Sequence, residues 1–179
     1  GTLVAGDTGP GNALLDDLMQ SRAGVAMDED GRMAAAGKVD RKALAALLAH
    51  PWFDRSFPKS LDRGAFSAAP VDGLATPDAA ATLVAFTSAT IAKGIVMAGG
   101  AERIVVAGGG ARNATLMASL AADTRIPLES AAALDWSPDF LEAEAFAFLA
   151  VRSLRGLPLT FPGTTGVAQP LPGGVIVRP

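Results

Sequence analysis

The chain has 179 residues, enough for one domain with a sizeable core, and 50% of them are hydrophobic, many being alanine. Its formal net charge of -3 supplies no basic field for a phosphate backbone, which argues against nucleic acid as a partner. It contains no cysteine, so disulfides, thiol nucleophiles and cysteine metal sites are excluded together. In chain order, Leu3 to Gly6 reads as a very short strand. After the turn "DTGPG", the stretch "NALLDDLMQSR" sets Leu14, Leu15 and Leu18 opposite Asp16, Asp17 and Gln20, an amphipathic helix that Asn12 can cap. "AMDEDGRMAAAGKVD" reads as turn and loop. Its Asp28, Asp30 and Gly31 are similar to a calcium loop, but the further ligands and the closing glutamate are absent.

A second helix is expected from Asp40, its N-cap, to His50, where Pro51 ends it. "PWFDRSFPKSLDRGAF" reads as an ordered loop, and His50, Trp52 and Trp136 as packing residues. "TPDAAATLVAFTSATIAKGIVMAG" is a long helix with Thr76 as cap, Pro77 at its first position and Gly99–Gly100 at its close. Small and apolar residues surround it, so it is expected to be buried on both sides. "ERIVVAGGGARNATLMASLAA" then reads strand, glycine turn, helix, and "RIPLES" is another short strand. "SPDFLEAEAFAFLAVRSLRG" is a helix with Ser137 as cap and Pro138 first. The tail is loop, with one last strand at Val175 to Val177. Strands alternating with helices make the class α/β. No apolar run reaches the ~20 residues of a membrane helix, and no signal peptide opens the chain, so a cytoplasmic protein without a membrane partner is expected.

Three places can carry chemistry. In "IVVAGGGARN" a buried strand leads into a turn that opens a helix, where backbone amides can approach an anionic ligand. The spacing fits neither a Walker loop nor the full G-x-G-x-x-G, since Asn113 stands at the third glycine. Glu129 near the end of the next strand keeps a dinucleotide site open as a rival. Glu142 lies in the first turn of the last long helix on the face of Ala143, Phe146, Ala147, Ala150 and Leu154, where a carboxylate needs a partner or a cleft; stabilisation by the helix dipole accounts for the same position. Asp7 stands at a strand end on an exposed turn, a place suited to proton abstraction or to orienting a water. A simple Asp-Gly turn accounts for the same pattern. Lys59 and Arg63 in "PKSLDR" can meet phosphate or carboxylate, or solvent alone.

Read in order, "DTGPGNALLDD", "PWFDRSFPKSLDRGAF", "ATLVAFTSATIA", "VVAGGGARNATLM" and "LEAEAFAFLAVRSLRGLPLTFPGTTG" together resemble the C-terminal half of the anhydro-N-acetylmuramic acid kinases. The resemblance implies a ribonuclease-H-like lobe of the actin-like ATPase superfamily, helix-rich around a short mixed sheet. It implies ATP and magnesium as cofactors, and a reaction of bacterial cell-wall recycling. Water opens the anhydro bridge of 1,6-anhydro-N-acetylmuramic acid, and the freed 6-oxygen is phosphorylated. Carried over by motif, Asp7 is the base that activates the water. Gly9 and Asn12 shape the phosphate and sugar side, and Gly108, Gly109, Gly110 and Asn113 hold the nucleotide. Glu142 lies near the sugar, and no metal ligand is assigned to the chain itself.

Two departures accompany the resemblance. The family's Gly-Thr-Ser-x-Asp-Gly phosphate loop is absent and the chain opens on "GTLV", so residues 1–179 are expected to form a single C-terminal lobe lacking its N-terminal partner. Such a half is expected to turn over poorly, and a homodimer or a non-catalytic binding module are further expectations, as is another sugar kinase of the superfamily. Asp135 also stands where the family tends to carry glycine.

Overall fold

Between Asp78 and Lys93 the chain carries no charge and is rich in alanine, a good helix former with little bulk. In the computed structural model, which describes residues 3–137 and 140–177, this run is the middle of the 22-residue helix α4, Thr76–Met97. The helix is the axis of the fold, packed against α1 (Ala13–Ala23), α2 (Arg32–Ala35), α3 (Arg41–Leu48) and α5 (Ala114–Thr124). Leu83, Val84 and Phe86 of α4 join Leu14, Leu15, Leu18, Leu47, Trp52, Phe53 and Leu116 in one buried core. Burying each large side chain of this set stabilises the fold by about 1.5–3 kcal/mol. Polar ties fix the neighbours of α4: Asp40 N–H donates to Thr82 Oγ1 at 3.0 Å, and the Ser88 hydroxyl donates to Asp123 Oδ2 at 2.5 Å.

The alanines of α4 let these neighbours approach closely, and they also make the helix apolar enough to cross a membrane, with a mean hydropathy of 1.5. That corrects the expectation that no run reaches this length. Of its most apolar window, 56% is buried inside the protein itself, as in a core helix. The cap differs too: Thr76 is the first helical residue, Ala75 holds the cap position, and no side chain bonds there.

After α4, β1 (Ile104–Val106), α5 and β2 (Leu128–Ser130) form a strand–helix–strand unit whose strands pair in parallel, Val105 opposite Glu129. The α/β class and the short sheet are as expected, but among the described residues the sheet has two strands and is parallel, not mixed. A helical crossover returns the chain to the same end of the sheet, and parallel pairing follows.

Other local expectations are corrected. Residues 3–6 form no strand, because their backbone finds isolated partners: Ala5 N–H donates to Gly163 O and Asp7 N–H to Lys59 O, both at 2.9 Å. The segment read as loop folds as a turn, Glu29–Gly31, followed by α2. Asp28 makes this possible, its two carboxylate oxygens accepting from Met33 N–H at 2.8 Å and Ala34 N–H at 3.0 Å. Among the described residues Val175–Val177 belong to no strand, and an isolated bridge in the tail joins Thr160 to Leu171. The last long helix, α6, runs Leu141–Leu154. Ser137 does not border it, and Pro138 lies outside the described residues. Trp52 is buried as expected, whereas Trp136 is half exposed. His50 packs on the Phe66 ring at 4.5 Å, and its Nδ1 accepts from Trp52 N–H at 3.2 Å.

Candidate active site

The turn that carries Asp7 is seated on α4. The Thr87 hydroxyl donates to Gly11 O at 2.9 Å, and a Cβ added at Gly9 would stand 2.7 Å from Thr90 Oγ1. Glycine is therefore required at position 9 by close approach, with Thr90 buried and bonded to Thr87 O. This seating aims Asp7 at the loop of residues 57–61. Leu61 N–H donates to Asp7 Oδ2 at 2.6 Å, and Asp7 N–H donates to Lys59 O at 2.9 Å. The carboxylate is thus oriented by a backbone amide yet exposed, and it lines a cleft of about 240 Å³ with Gly9, Pro10, Leu61 and Arg63.

Lys59 anchors the far side of that loop. Its ammonium is buried over the Trp52 ring at 4.3 Å and donates to Phe53 O at 3.5 Å. Burial first, then the charges of Lys93 and Arg55, hold its pKa below the usual lysine value. Arg63 pairs instead with Asp17 at 2.9 Å. Neither cation is simply solvated: one is structural and the other is paired.

On the opposite side of the turn lies a larger cleft of about 410 Å³, whose lining includes Asn12, Asp16, Asp28, Gly109, Arg112 and Asn113. Sequence-distant residues meet here. Asn12 comes against the glycine turn, its Nδ2 3.8 Å from where a Cβ on Gly110 would stand. Gly108 takes φ 74° and ψ -169°, a conformation essentially reserved for glycine. Nothing lies within 4 Å of a Cβ built at Gly108 or Gly109, so open space fronts this turn. Asn113 caps α5, its Oδ1 accepting from Leu116 N–H at 2.9 Å. Asn12 precedes α1 without capping it, since its side chain makes no cap bond and stays available to the cleft.

The segment around Asp28 forms a wall that sequence reading missed. A side chain at Gly31 would run into Asn113, and the Thr115 hydroxyl donates to Gly31 O at 2.8 Å. The signal was present in Asp28 followed by a helix-forming "RMAAA", which is a helix start. Asp16 lines the same cleft with its pKa raised, chiefly by burial, with Arg63 opposing and Asp17 adding to the shift.

Two candidates stand apart. Glu142 is exposed in the first turn of α6, which buries none of its residues, so its expected core-facing position is corrected. It lines neither cleft. Glu129 pairs with Arg103 at 3.4 Å within the strand unit, so its carboxylate already has a cation. Asp135 adopts φ 57°, the left-handed region that glycine enters without cost. Among the described residues no group of three or more His, Asp or Glu side chains could hold a metal ion.

The family model for anhydro-N-acetylmuramic acid kinase matches residues 1–179. Among curated relatives of that name, the Caulobacter vibrioides protein is 53% identical over 178 residues, 99% of this chain and 48% of the relative. The Rhodospirillum rubrum protein is 54% identical over 172 residues, covering 96% of this chain and 46% of its own length. The Acidiphilium cryptum protein is 52% identical over 182 residues, covering all of this chain and 51% of the relative. The chain spans about half the length of the curated relatives it matches. With its full length matched by the family model, the chain belongs to the anhydro-N-acetylmuramic acid kinase family.

Proposed function

We propose that this chain is one ribonuclease-H-like lobe of an ATP-dependent kinase acting on 1,6-anhydro-N-acetylmuramic acid in cytoplasmic cell-wall recycling. The observation that carries the reading is the placement of Asp7: an exposed carboxylate oriented by Leu61 N–H at 2.6 Å, on a turn whose other end, Asn12, faces the glycine turn.

In this reading Asp7 takes a proton from water as the oxygen attacks the anomeric carbon. The Leu61 amide holds one carboxylate oxygen and leaves the other to meet the water. One carboxylate activating water on one face of a sugar is the arrangement of inverting glycoside cleavage. The 6-oxygen released from the bridge then accepts the phosphoryl group, giving N-acetylmuramic acid 6-phosphate and ADP. Gly9 and Asn12 shape the sugar and phosphate side, and Gly108, Gly109, Gly110 and Asn113 form the nucleotide side. Asn113 acts there as the cap that fixes the turn. The carboxylates of Asp16 and Glu29 suit ribose or base donors and repel phosphate, so the phosphate end is directed toward the glycine turn. Magnesium bound with the nucleotide would supply neutralisation of phosphate charge during transfer. The phosphate-loop lobe completes the clamp, because phosphoryl transfer depends on positioning by two closing lobes.

Calorimetric titration with a non-hydrolysable ATP analogue and magnesium, with and without the anhydro sugar, tests the binding half. A phosphate-transfer assay on the protein carrying both lobes, with Asp7→Asn beside it, tests the chemistry. A loss of about 10²–10⁴-fold in kcat with nucleotide binding intact is expected. Unchanged turnover in Asp7→Asn refutes the role of Asp7.

A further inference from the structure

Residues 59–61 belong to no helix or strand, yet they hold Asp7 at two points: Asp7 N–H donates to Lys59 O at 2.9 Å, and Leu61 N–H donates to Asp7 Oδ2 at 2.6 Å. The approach on the Asp7 side is tight, since a Cβ at Gly6 would stand 2.6 Å from the Phe57 ring and 2.9 Å from Lys59 O. A segment without ladder bonds takes its position from the side chains that tie it down. Two such ties join residues 59–61 to the buried turn Pro51–Asp54, in opposite directions. The Trp52 indole N–H donates to Ser60 O at 3.3 Å. The Lys59 ammonium lies 4.3 Å from the centre of the Trp52 ring and donates to Phe53 O at 3.5 Å. Phe53 in turn packs edge-on against Phe86 of α4, at 5.7 Å between ring centres. Packed groups therefore run from α4 through Phe53, Trp52 and Lys59 to the amide that meets Asp7.

We infer that Lys59 is a positioning residue for Asp7: its ammonium pins residues 59–61 to the Trp52–Phe53 turn and so fixes the Leu61 amide that orients the carboxylate. The presence of a cation at this place is the telling feature. Lys59 is 7% exposed, and Asp54, a carboxylate whose charge reaches it, is committed to Lys93 at 2.9 Å. Its remaining neighbours are weak partners, Met97 Sδ at 4.0 Å and the Phe57 ring at 5.3 Å. A buried cation without a paired carboxylate is costly, and an unbranched apolar side chain would fill the same space over Trp52 without that cost. Such a side chain could not bond Phe53 O. What the ammonium adds is direction, because the ring face and the carbonyl together hold it in one place. Precision matters at Leu61, since a misplacement of about 1 Å next to a reacting group can cost about 10²-fold in rate. The inference rests on the proposed reading of Asp7 as the base, but the hold on Leu61 can be measured without any turnover.

The test has two readouts. In the 179-residue chain, Lys59→Met should make the Leu61 and Asp7 amides exchange hydrogen about tenfold faster and leave those of α4 as protected as before. Because the chain has no cysteine, Lys59→Cys can be aminoethylated on its single thiol in urea and refolded, which rebuilds an ammonium at lysine length; slow exchange at Leu61 should return. In the protein carrying both lobes, Lys59→Met should lower kcat by about 10²-fold and leave the KM values for the anhydro sugar and ATP unchanged. Unchanged exchange at Leu61 overturns the inference. So does equal loosening of α4, which would make Lys59 an ordinary structural residue. Fast exchange at Leu61 with full turnover, in a protein that Asp7→Asn inactivates, overturns the positioning role as well. Full turnover in Asp7→Asn instead refutes the reading of Asp7, and the exchange data then still decide whether Lys59 holds the loop.

Discussion

Helices α4 and α6 are both apolar around most of their circumference, yet eleven of the 22 residues of α4 are buried and none of the 14 of α6. The difference lies in side-chain size and in neighbours. Helix α4 is dominated by Ala, Thr and Ser, which let four helices and the Asp7 turn settle directly on it. Helix α6 carries two phenylalanines and a leucine that stand out from its surface, and the chain supplies little to receive them. Apolar composition says that a helix is to be covered; it does not say by what.

The largest expected effect that sharpens this contrast is in the core. Phe86→Ala in α4, where Phe86 is 1% exposed against Phe53 and Phe66, should lower stability by about 3–5 kcal/mol in urea unfolding. Phe148→Ala in α6 should stay within about 0.5 kcal/mol in the isolated chain. A comparable loss from both substitutions would break the comparison.

The two glycine turns divide in the same manner. Gly9→Ala presses a methyl group onto Thr90 and should cost about 1–3 kcal/mol. Gly109→Ala meets open space, so its melting temperature should stay near that of the parent, and its effect should appear in nucleotide titration. Asn113→Ala removes the α5 cap and should cost about 1–2 kcal/mol.

The smallest effect is a pH slope. Lys59 has a lowered folded pKa, so between that value and 10.5 the unfolded chain binds more protons than the folded one. Stability contributed by this group therefore rises as pH increases through that window. Lys59→Met should flatten the slope in unfolding curves taken from neutral to alkaline pH. A slope unchanged by the substitution would show that Lys59 is not its source.

The sequence by itself determined the helices α1, α3, α4, α5 and α6 and both strands of the sheet, because periodicity, caps and glycine turns are local properties. The Asp40 cap is the clear case: its Oδ1 accepts from Ala43 N–H at 2.8 Å, as a residue of that type at that place should. Motif order was also enough for the family. Tertiary structure alone decided which of these local features meet. It set Asn12 against Gly110, gave Asp7 the Leu61 amide as partner, made Lys59 a buried cation, and drew the Asp28 turn into the wall of the larger cleft. It likewise moved Glu142 from an expected inward face to an exposed one. Helical spacing tells which residues share a face, but whether that face is inside depends on what packs against it, and that is a property of contacts between segments far apart in the chain.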